Sequence, residues 1–298
     1  MSSISFDPLA PVYDAIRGYP PTVASAITAA IDQAVGGNTQ TRFLEVGVGT
    51  GRFAFPLAEA EHQCTGIDIS EKMMSQLKEK LCGAGWQEEG QRWGKEPDED
   101  ATQNPPVQRF THMEKQGSMR LVRTDMTALP FHDDSFDVVI ASHVFHVVRD
   151  WHQALKEIMR VSRPGGVFIR CWNANWQEAW KPGSGDIRRE WSRIVEELGG
   201  STAFVGTAEQ SVTTWLQGQG FETEQREILT WQRQVTPRAL FESVVQYQGA
   251  GTWPLSDDLF EASLTRLSQW VEEHYREHVD EAFLQEEHLV LGRTLLGE

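Results

Sequence analysis

Arg42–Ala58 reads RFLEVGVGTGRFAFPLA. An apolar run (Phe43, Leu44, Val46) stops at three glycines spaced two apart, Gly47, Gly49 and Gly51, and a second apolar run follows. This order predicts a buried strand, a sharp corner and a helix. Glycine lets the backbone turn tightly and lets a ligand approach with no Cβ in the way. In an open α/β sheet, ligands bind beyond the carboxyl ends of the strands, and this corner lies at such an end. The spacing is not the dinucleotide fingerprint G-x-G-x-x-G, because Arg52 stands where the third glycine is needed, and no G-K-[ST] follows for a phosphate loop.

Outward from the corner, strand-like and helix-like segments alternate. "QCTGIDI" (63–69), "RLVRTD" (120–125), "FDVVIAS" (136–142) and "GGVFIRCW" (165–172) are nearly continuous in apolar residues, as strands buried on both faces are. In "DWHQALKEIMRVSRPGG", Leu155, Ile158 and Met159 fall on one helical face, Asp150 is the expected N-cap, and Pro164-Gly165-Gly166 ends the helix. Strands alternating with helices imply right-handed crossovers and a doubly wound, Rossmann-like α/β sheet. Residues 85–118 have little periodicity and much Gln, Glu, Asp, Gly and Pro, and are expected to form a solvated loop insertion. Beyond Trp172 come charge-rich helical patterns, a strand "TEQREILTWQRQ" (223–234), a helix from Pro237 to Tyr247, a longer helix from about Ser256 and a closing strand "HLVLGRTLL" (288–296). One domain over 1–298 is expected, with 173–298 giving two late strands and a helical cover over the ligand edge.

A net charge of −16 opposes binding to polyanions, so no nucleic-acid partner is expected. The three cysteines, Cys64, Cys82 and Cys171, form no CxxC pair, which points to reduced thiols in a cytoplasm. The first residues lack the basic flank and apolar stretch of a signal peptide, and no apolar run is long enough for a membrane span.

Acids close three successive strands. Glu45 ends the first, and burying it unpaired would be costly. Asp68 ends the second, where each carboxylate oxygen can accept one hydroxyl of a diol. Asp125 ends the third, where it can accept from an adenine amino group. With "FLEVGVGTGRF", "GIDISEKMM", "TDMTALPFHDDSFDVVIASHVFHVV" and "ALKEIMRVSRPGGVFI" in this order, residues 40–172 resemble the class I S-adenosylmethionine-dependent methyltransferases, small-molecule branch, near the quinone-biosynthesis and trans-aconitate types. The opening "YDAIRGYPPTVASAI" is similar to that branch's cofactor-covering helix, here within residues 1–36. The resemblance implies a seven-stranded sheet whose last strand is antiparallel, with S-adenosylmethionine as cofactor. It implies that the glycine corner (Gly47, Gly49, Gly51) passes the methionine part and ribose, that Glu45 anchors the amino group directly or through water, and that Asp68, followed by Ile69 and Met73, takes the ribose. Asp125 would take the adenine amine and the Met126 N–H a ring nitrogen. Ser142 and His143 would lie near the sulfonium, and Tyr13 and Arg17 would close the pocket, Arg17 facing the cofactor carboxylate.

His143 and His146 are candidate general bases or packing residues under the adenine; methyl transfer needs a base only when the nucleophile must lose a proton. Trp172, Trp176, Trp180 and Trp191 are either an aromatic acceptor pocket or cover-helix core. The acceptor pocket is expected from the N-terminal helix, Trp172–Gly200 and Pro237–Gly251. The turn "ASHVFH" contains no Asn-Pro-Pro-Tyr-like tetrapeptide, no Pro-Cys pair follows, and no metal-ligand cluster accompanies the acids. A small-molecule methyl acceptor on oxygen, nitrogen or carbon remains. The competing expectations are a non-catalytic cofactor-binding scaffold or sensor, and a nicotinamide-dependent oxidoreductase, against which Arg52 and Asp125 count.

Overall fold

A computed structural model describes residues 4–89, 107–173, 186–203, 205–249 and 255–297. The corner peptide folds as expected: strand β1 (Arg42–Val46) leads through the glycines into helix α3 (Ala54–Glu59). Around β1 lie β2 (Gln63–Asp68), β5 (Ser118–Arg123), β6 (Phe136–Ser142) and β7 (Ser162–Asn173), and the five run parallel in the order β5-β2-β1-β6-β7. All seven residues of β6 are buried, which fits its continuous apolar sequence. Beyond β7 lies β9 (Phe283–Leu295), antiparallel both to β7 and to the outermost strand β8 (Thr223–Val235).

Among the described residues the sheet has nine strands, not the seven expected. The two extra ones, β3 (Trp86–Glu88) and β4 (Val107–His112), pair antiparallel with each other, and β4 pairs antiparallel with β5. Both lie inside the segment expected to be a loop. Two side chains anchor them: Trp86 is 2% exposed and Phe110 is 1% exposed. The Trp86 indole N–H donates to Glu59 at 2.6 Å, and Lys115 donates to the same carboxylate at 2.6 Å. One buried residue per strand, in a polar background, leaves no periodic signal to read.

Helices cover both faces. On one, α2 (Pro21–Val35), α3 and α4 (Glu71–Gly83) bury Ile27, Ile31, Leu57, Leu77 and Leu81. On the other, α5 (Trp151–Val161) and α7 (Glu209–Gly218) bury Leu155, Ile158, Val212 and Leu216. The Asp150 side chain caps α5 by accepting from Gln153 N–H at 3.1 Å, as the sequence predicts. The N-terminal helix pattern is broken at Gly18-Tyr19-Pro20 into α1 (Tyr13–Arg17) and α2. Helices α6 (Asp186–Glu197), α8 (Pro237–Gly249) and α9 (Asp257–Tyr275) form a separate apolar cluster around Trp191, Val244 and Leu267, into which Leu9 also packs. Trp191 is fully buried there, its N–H donated to Ser263 at 3.0 Å, so it is core of this cluster. Trp176 and Trp180 lie outside the described residues. Among the described residues no helix is long and apolar enough to cross a membrane.

Candidate active site

The glycine corner is a backbone requirement. Gly47, Gly49 and Gly51 have φ of 74°, 52° and 79°, in the left-handed region that glycine enters without strain. A Cβ on Gly51 would lie 2.4 Å from Leu77 of α4, and one on Gly47 would lie 2.7 Å from Val144 beyond β6. Packing and dihedral angle therefore select glycine together.

Two of the three strand-end acids brace this corner. The Asp68 carboxylate accepts from Gly49 N–H and from Ser70 N–H, both at 2.8 Å. It keeps part of its surface open to the cavity, yet its carboxyl lies deep, and burial raises its pKa to about 6 against those backbone bonds. Glu45 is buried and accepts from Ala54 N–H at 2.7 Å, at the start of α3, where an anion complements the helix dipole. Burial raises its pKa to about 8, opposed by the Ala54 bond and by Arg52. Glu45 lies behind the corner and is absent from the cavity wall. Asp125 is also absent from it; Thr124 and Met126 on either side line it, while Asp125 accepts from the Thr127 N–H and hydroxyl at 3.0 and 2.9 Å.

In front of the corner is a cavity of about 560 Å³. Gly47, Gly49, Gly51, Asp68, Ile69 and Met73 form one side of it, and Ser142, His143 and His146 form the wall at the end of β6. Tyr13 and Arg17 reach it from α1. Side-chain bonds at Asp14 and Asp7 help to tie this N-terminal cover down. Asp14 accepts from the Thr50 hydroxyl at 2.6 Å and pairs with Lys80 at 2.6 Å. Asp7 accepts from the Ser70 hydroxyl at 2.6 Å.

The wall at β6 is chemically distinct. The Ser142 hydroxyl is buried with no hydrogen-bond partner among the described residues. His143 has φ +49°, uncommon for a residue other than glycine, and its N–H donates to Cys171 O at 3.2 Å. Burial, Arg52, Arg17 and His146 hold the His143 pKa well below the usual histidine range, while a hydrogen bond with the Asn173 side chain opposes them. Burial, with Arg17 and Arg188, lowers His146 to about 3. Both rings are therefore neutral at pH 7 and can accept a proton, though weakly at rest.

Opposite the N-terminal cover, the late strands line the cavity. Trp231, Gln232 and Arg233 of β8, Glu287 of β9 and Asn173 at the end of β7 do so, while no described residue of α6 or α8 does. Of the expected segments Trp172–Gly200 and Pro237–Gly251, the described residues contribute only Asn173 to this cavity, and residues 174–185 and 250–251 lie outside the described residues. The Tyr19 ring meets Trp231 edge-on at 5.6 Å and carries the Arg52 guanidinium 3.9 Å above its centre. Its hydroxyl is buried without a partner among the described residues, and burial raises its pKa to about 12. Alternation in "TWQRQ" was the available sequence signal, since it sets Trp231 and Arg233 on one face of β8. Glu287 carried none, because its neighbours in space lie far away in sequence.

Residues 44–170 match the family of methyltransferase domains, and this bears out the resemblance drawn from the sequence. Demethylmenaquinone methyltransferases of Staphylococcus aureus are 32% identical over 132 residues, a match covering 43% of this chain and 42% of theirs. The chain thus spans less than half the length of these relatives. The [4+2]-cyclase SpnF shares the fold with a TM-score of 0.54 at 17% identity, over 97% of this chain and 93% of that one. A phosphoethanolamine N-methyltransferase 2 of Haemonchus contortus, solved with phosphomonomethylethanolamine and S-adenosylhomocysteine, does so with a TM-score of 0.52 at 15% identity, over 98% of this chain and 58% of that one.

Proposed function

We propose that this chain is an S-adenosylmethionine-dependent methyltransferase acting on a small-molecule acceptor by in-line displacement. The single observation that carries this is the cavity in which the glycine corner, the Asp68 carboxylate and the unpartnered Ser142 hydroxyl meet beneath the N-terminal cover. The family match over 44–170 adds to it. These groups suit the cofactor: an enclosed carboxylate for a diol, a close backbone approach, and a hydroxyl with bonding capacity to spare. When bound, the cofactor supplies an electrophilic methyl group on a sulfonium.

We assign the roles of the chain's residues from the family resemblance, which their positions around the cavity support in part. Asp68 accepts the ribose hydroxyls, with Ile69 and Met73 beside it. Asp125 stands just off the cavity wall with its carboxylate on Thr127, and would have to turn toward the cavity to accept the adenine amine, while Met126 on the wall donates its N–H to a ring nitrogen. Glu45 acts on the amino group through the corner it braces, and Arg17 and Tyr13 close over the carboxylate end. The ties at Asp14 and Asp7 hold the cover, residues 1–36, in place and keep water from the reacting centre. His143 and His146 face the methyl end. The acceptor enters beside Trp231, Arg233 and Glu287, all outside the matched 44–170, so the substrates of the relatives do not carry over. The free thiols Cys64, Cys82 and Cys171 suit a cytoplasmic setting.

Calorimetric titration with S-adenosylhomocysteine and with NAD tests the cofactor. Binding of the first without the second is expected; the reverse overturns the proposal. Methyl transfer from labelled cofactor to a metabolite extract tests turnover, and binding without any transfer would reduce the chain to a cofactor sensor.

A further inference from the structure

The chain carries 43 acidic and 27 basic side chains, yet the described wall of its cavity reverses that balance. Arg17, Arg52, Lys80 and Arg233 stand there against Asp14, Asp68 and Glu287. Lys80 and Asp14 pair with each other at 2.6 Å. On the reading that the chain is a methyltransferase, Asp68 is given to the ribose diol. The cofactor itself brings one carboxylate against two positive centres, its amino group and its sulfonium. It therefore answers for one of the remaining cations at most, and a wall of this charge does not suit a cationic acceptor.

One of these cations lies beside flat apolar surface. In the register of the last two strands Trp231 faces Glu287 and Arg233 faces Gln285. Side chains two apart on a strand share a face and stand about 7 Å apart, a separation that one aromatic acid spans. The Tyr19 ring meets Trp231 at 84° with centres 5.6 Å apart, so the two rings form a corner. A flat ligand laid on one ring meets the other edge-on, an arrangement that aromatic groups prefer. Glu287 accepts from Asn173 at 2.8 Å and from Gln285 at 3.0 Å, and lies 3.6 Å from Arg233. It thus steadies Arg233 by charge more than by a hydrogen bond, and a guanidinium has N–H donors enough to serve a second carboxylate as well.

We propose, on the methyltransferase reading, that the acceptor is a planar molecule bearing a carboxylate, its ring in the corner of Trp231 and Tyr19 and its carboxylate on Arg233. Trp231 and Arg233 both lie outside the matched 44–170, so the late strands select the acceptor, whereas the shared part of the family serves the cofactor.

The probes are 4-fluorobenzoate, 4-fluorobenzamide and 4-fluorobenzamidine, planar molecules of one shape that carry a negative charge, none and a positive charge. Each is titrated by fluorine NMR into the full chain saturated with S-adenosylhomocysteine. The benzoate should bind at least about tenfold more tightly than the amide, and the amidine more weakly than either. Arg233→Gln should bring the benzoate down to the amide, and Arg233→Lys, which keeps the charge, should recover part of the difference. Trp231→Ala should weaken benzoate and amide alike, and 4-fluorocyclohexanecarboxylate, which is puckered, should bind more weakly than the benzoate. S-adenosylhomocysteine affinity should stay within about twofold in every variant. Amide or amidine binding as tightly as the benzoate, benzoate affinity unchanged in Arg233→Gln, the puckered acid equal to the flat one, or no benzoate binding to the loaded protein overturns the proposal. Tighter binding of 4-fluorophenyl phosphate would overturn the carboxylate. Failure of S-adenosylhomocysteine itself to bind overturns the underlying function as well, and is read separately by calorimetry.

Discussion

Asp68 serves two masters at once, since its carboxylate shapes the corner through Gly49 N–H and faces the cavity. Asp68→Ala should weaken S-adenosylhomocysteine binding at least tenfold, about 1.4 kcal/mol, with the fold intact by circular dichroism; unchanged affinity would remove it from the site. Glu45 makes a pH-dependent prediction. Its folded pKa of about 8 lies above the ordinary glutamate value of 4.5, so the folded state holds the proton more tightly. Its contribution to stability is complete below 4.5 and is lost as pH rises through about 8. Glu45→Gln, which keeps an acceptor for Ala54 N–H, should melt with the wild type at pH 5 and about 2 °C or more above it at pH 9, without ligand. Equal melting at both values would show that Arg52 holds the carboxylate charged. Asp68 was legible because an acid closing an apolar strand has few other reasons to be there. The partner of Glu45 was not, since nothing in the sequence says that the first turn of α3 swings its N–H groups back behind the corner.

Elements were legible where their burial is periodic. In α5, Leu155 and Ile158 face the sheet and Asp150 caps the start, so both face and boundary could be read. In β9 the first five residues, Phe283 to Glu287, carry three polar side chains, and the strand starts earlier than its apolar part suggests. The segment holding β3 and β4 was hardest, because each strand buries one side chain and takes its remaining order from neighbouring strands. That single side chain matters nonetheless. Phe110→Ala should cost about 3–5 kcal/mol, as for other buried aromatic residues, and thermal unfolding will read it; a loss under about 1 kcal/mol would mean that the two strands contribute little to the core. The cover helix α1 is held mainly at its rim. Asp14→Ala removes the bonds to Thr50 and Lys80 and should speed S-adenosylhomocysteine release several-fold in stopped flow while leaving the melting temperature near that of the wild type. An unchanged release rate would show that Asp7 suffices to hold the cover.

For the molecule as a whole, the net charge of −16 is self-repulsion spread over one chain. Raising salt from about 10 to 150 mM shortens the screening length from about 30 to 8 Å, so the melting temperature should rise; a fall would mean that exposed pairs such as Arg123–Glu71 outweigh the repulsion. The parallel centre of the sheet was legible from five apolar runs, whereas its outer strands depend on partners remote in sequence. One of these, β9, lies between β7 and β8, so among the described residues β8 pairs with the sheet only through a strand that comes 48 residues later, from Val235 to Phe283. On the ribosome the chain emerges from its N-terminal end, and residues 44–170 can assemble while the rest is still being made. Until Phe283–Leu295 is out, β8 has no strand to pair with, the edge of β7 stands open, and the wall bearing Trp231 and Arg233 does not exist. A nascent chain can therefore complete the glycine corner and its bracing acids well before the far wall of the cavity exists, and the β8–β9 pair that supplies this wall is also what covers the open edge of β7.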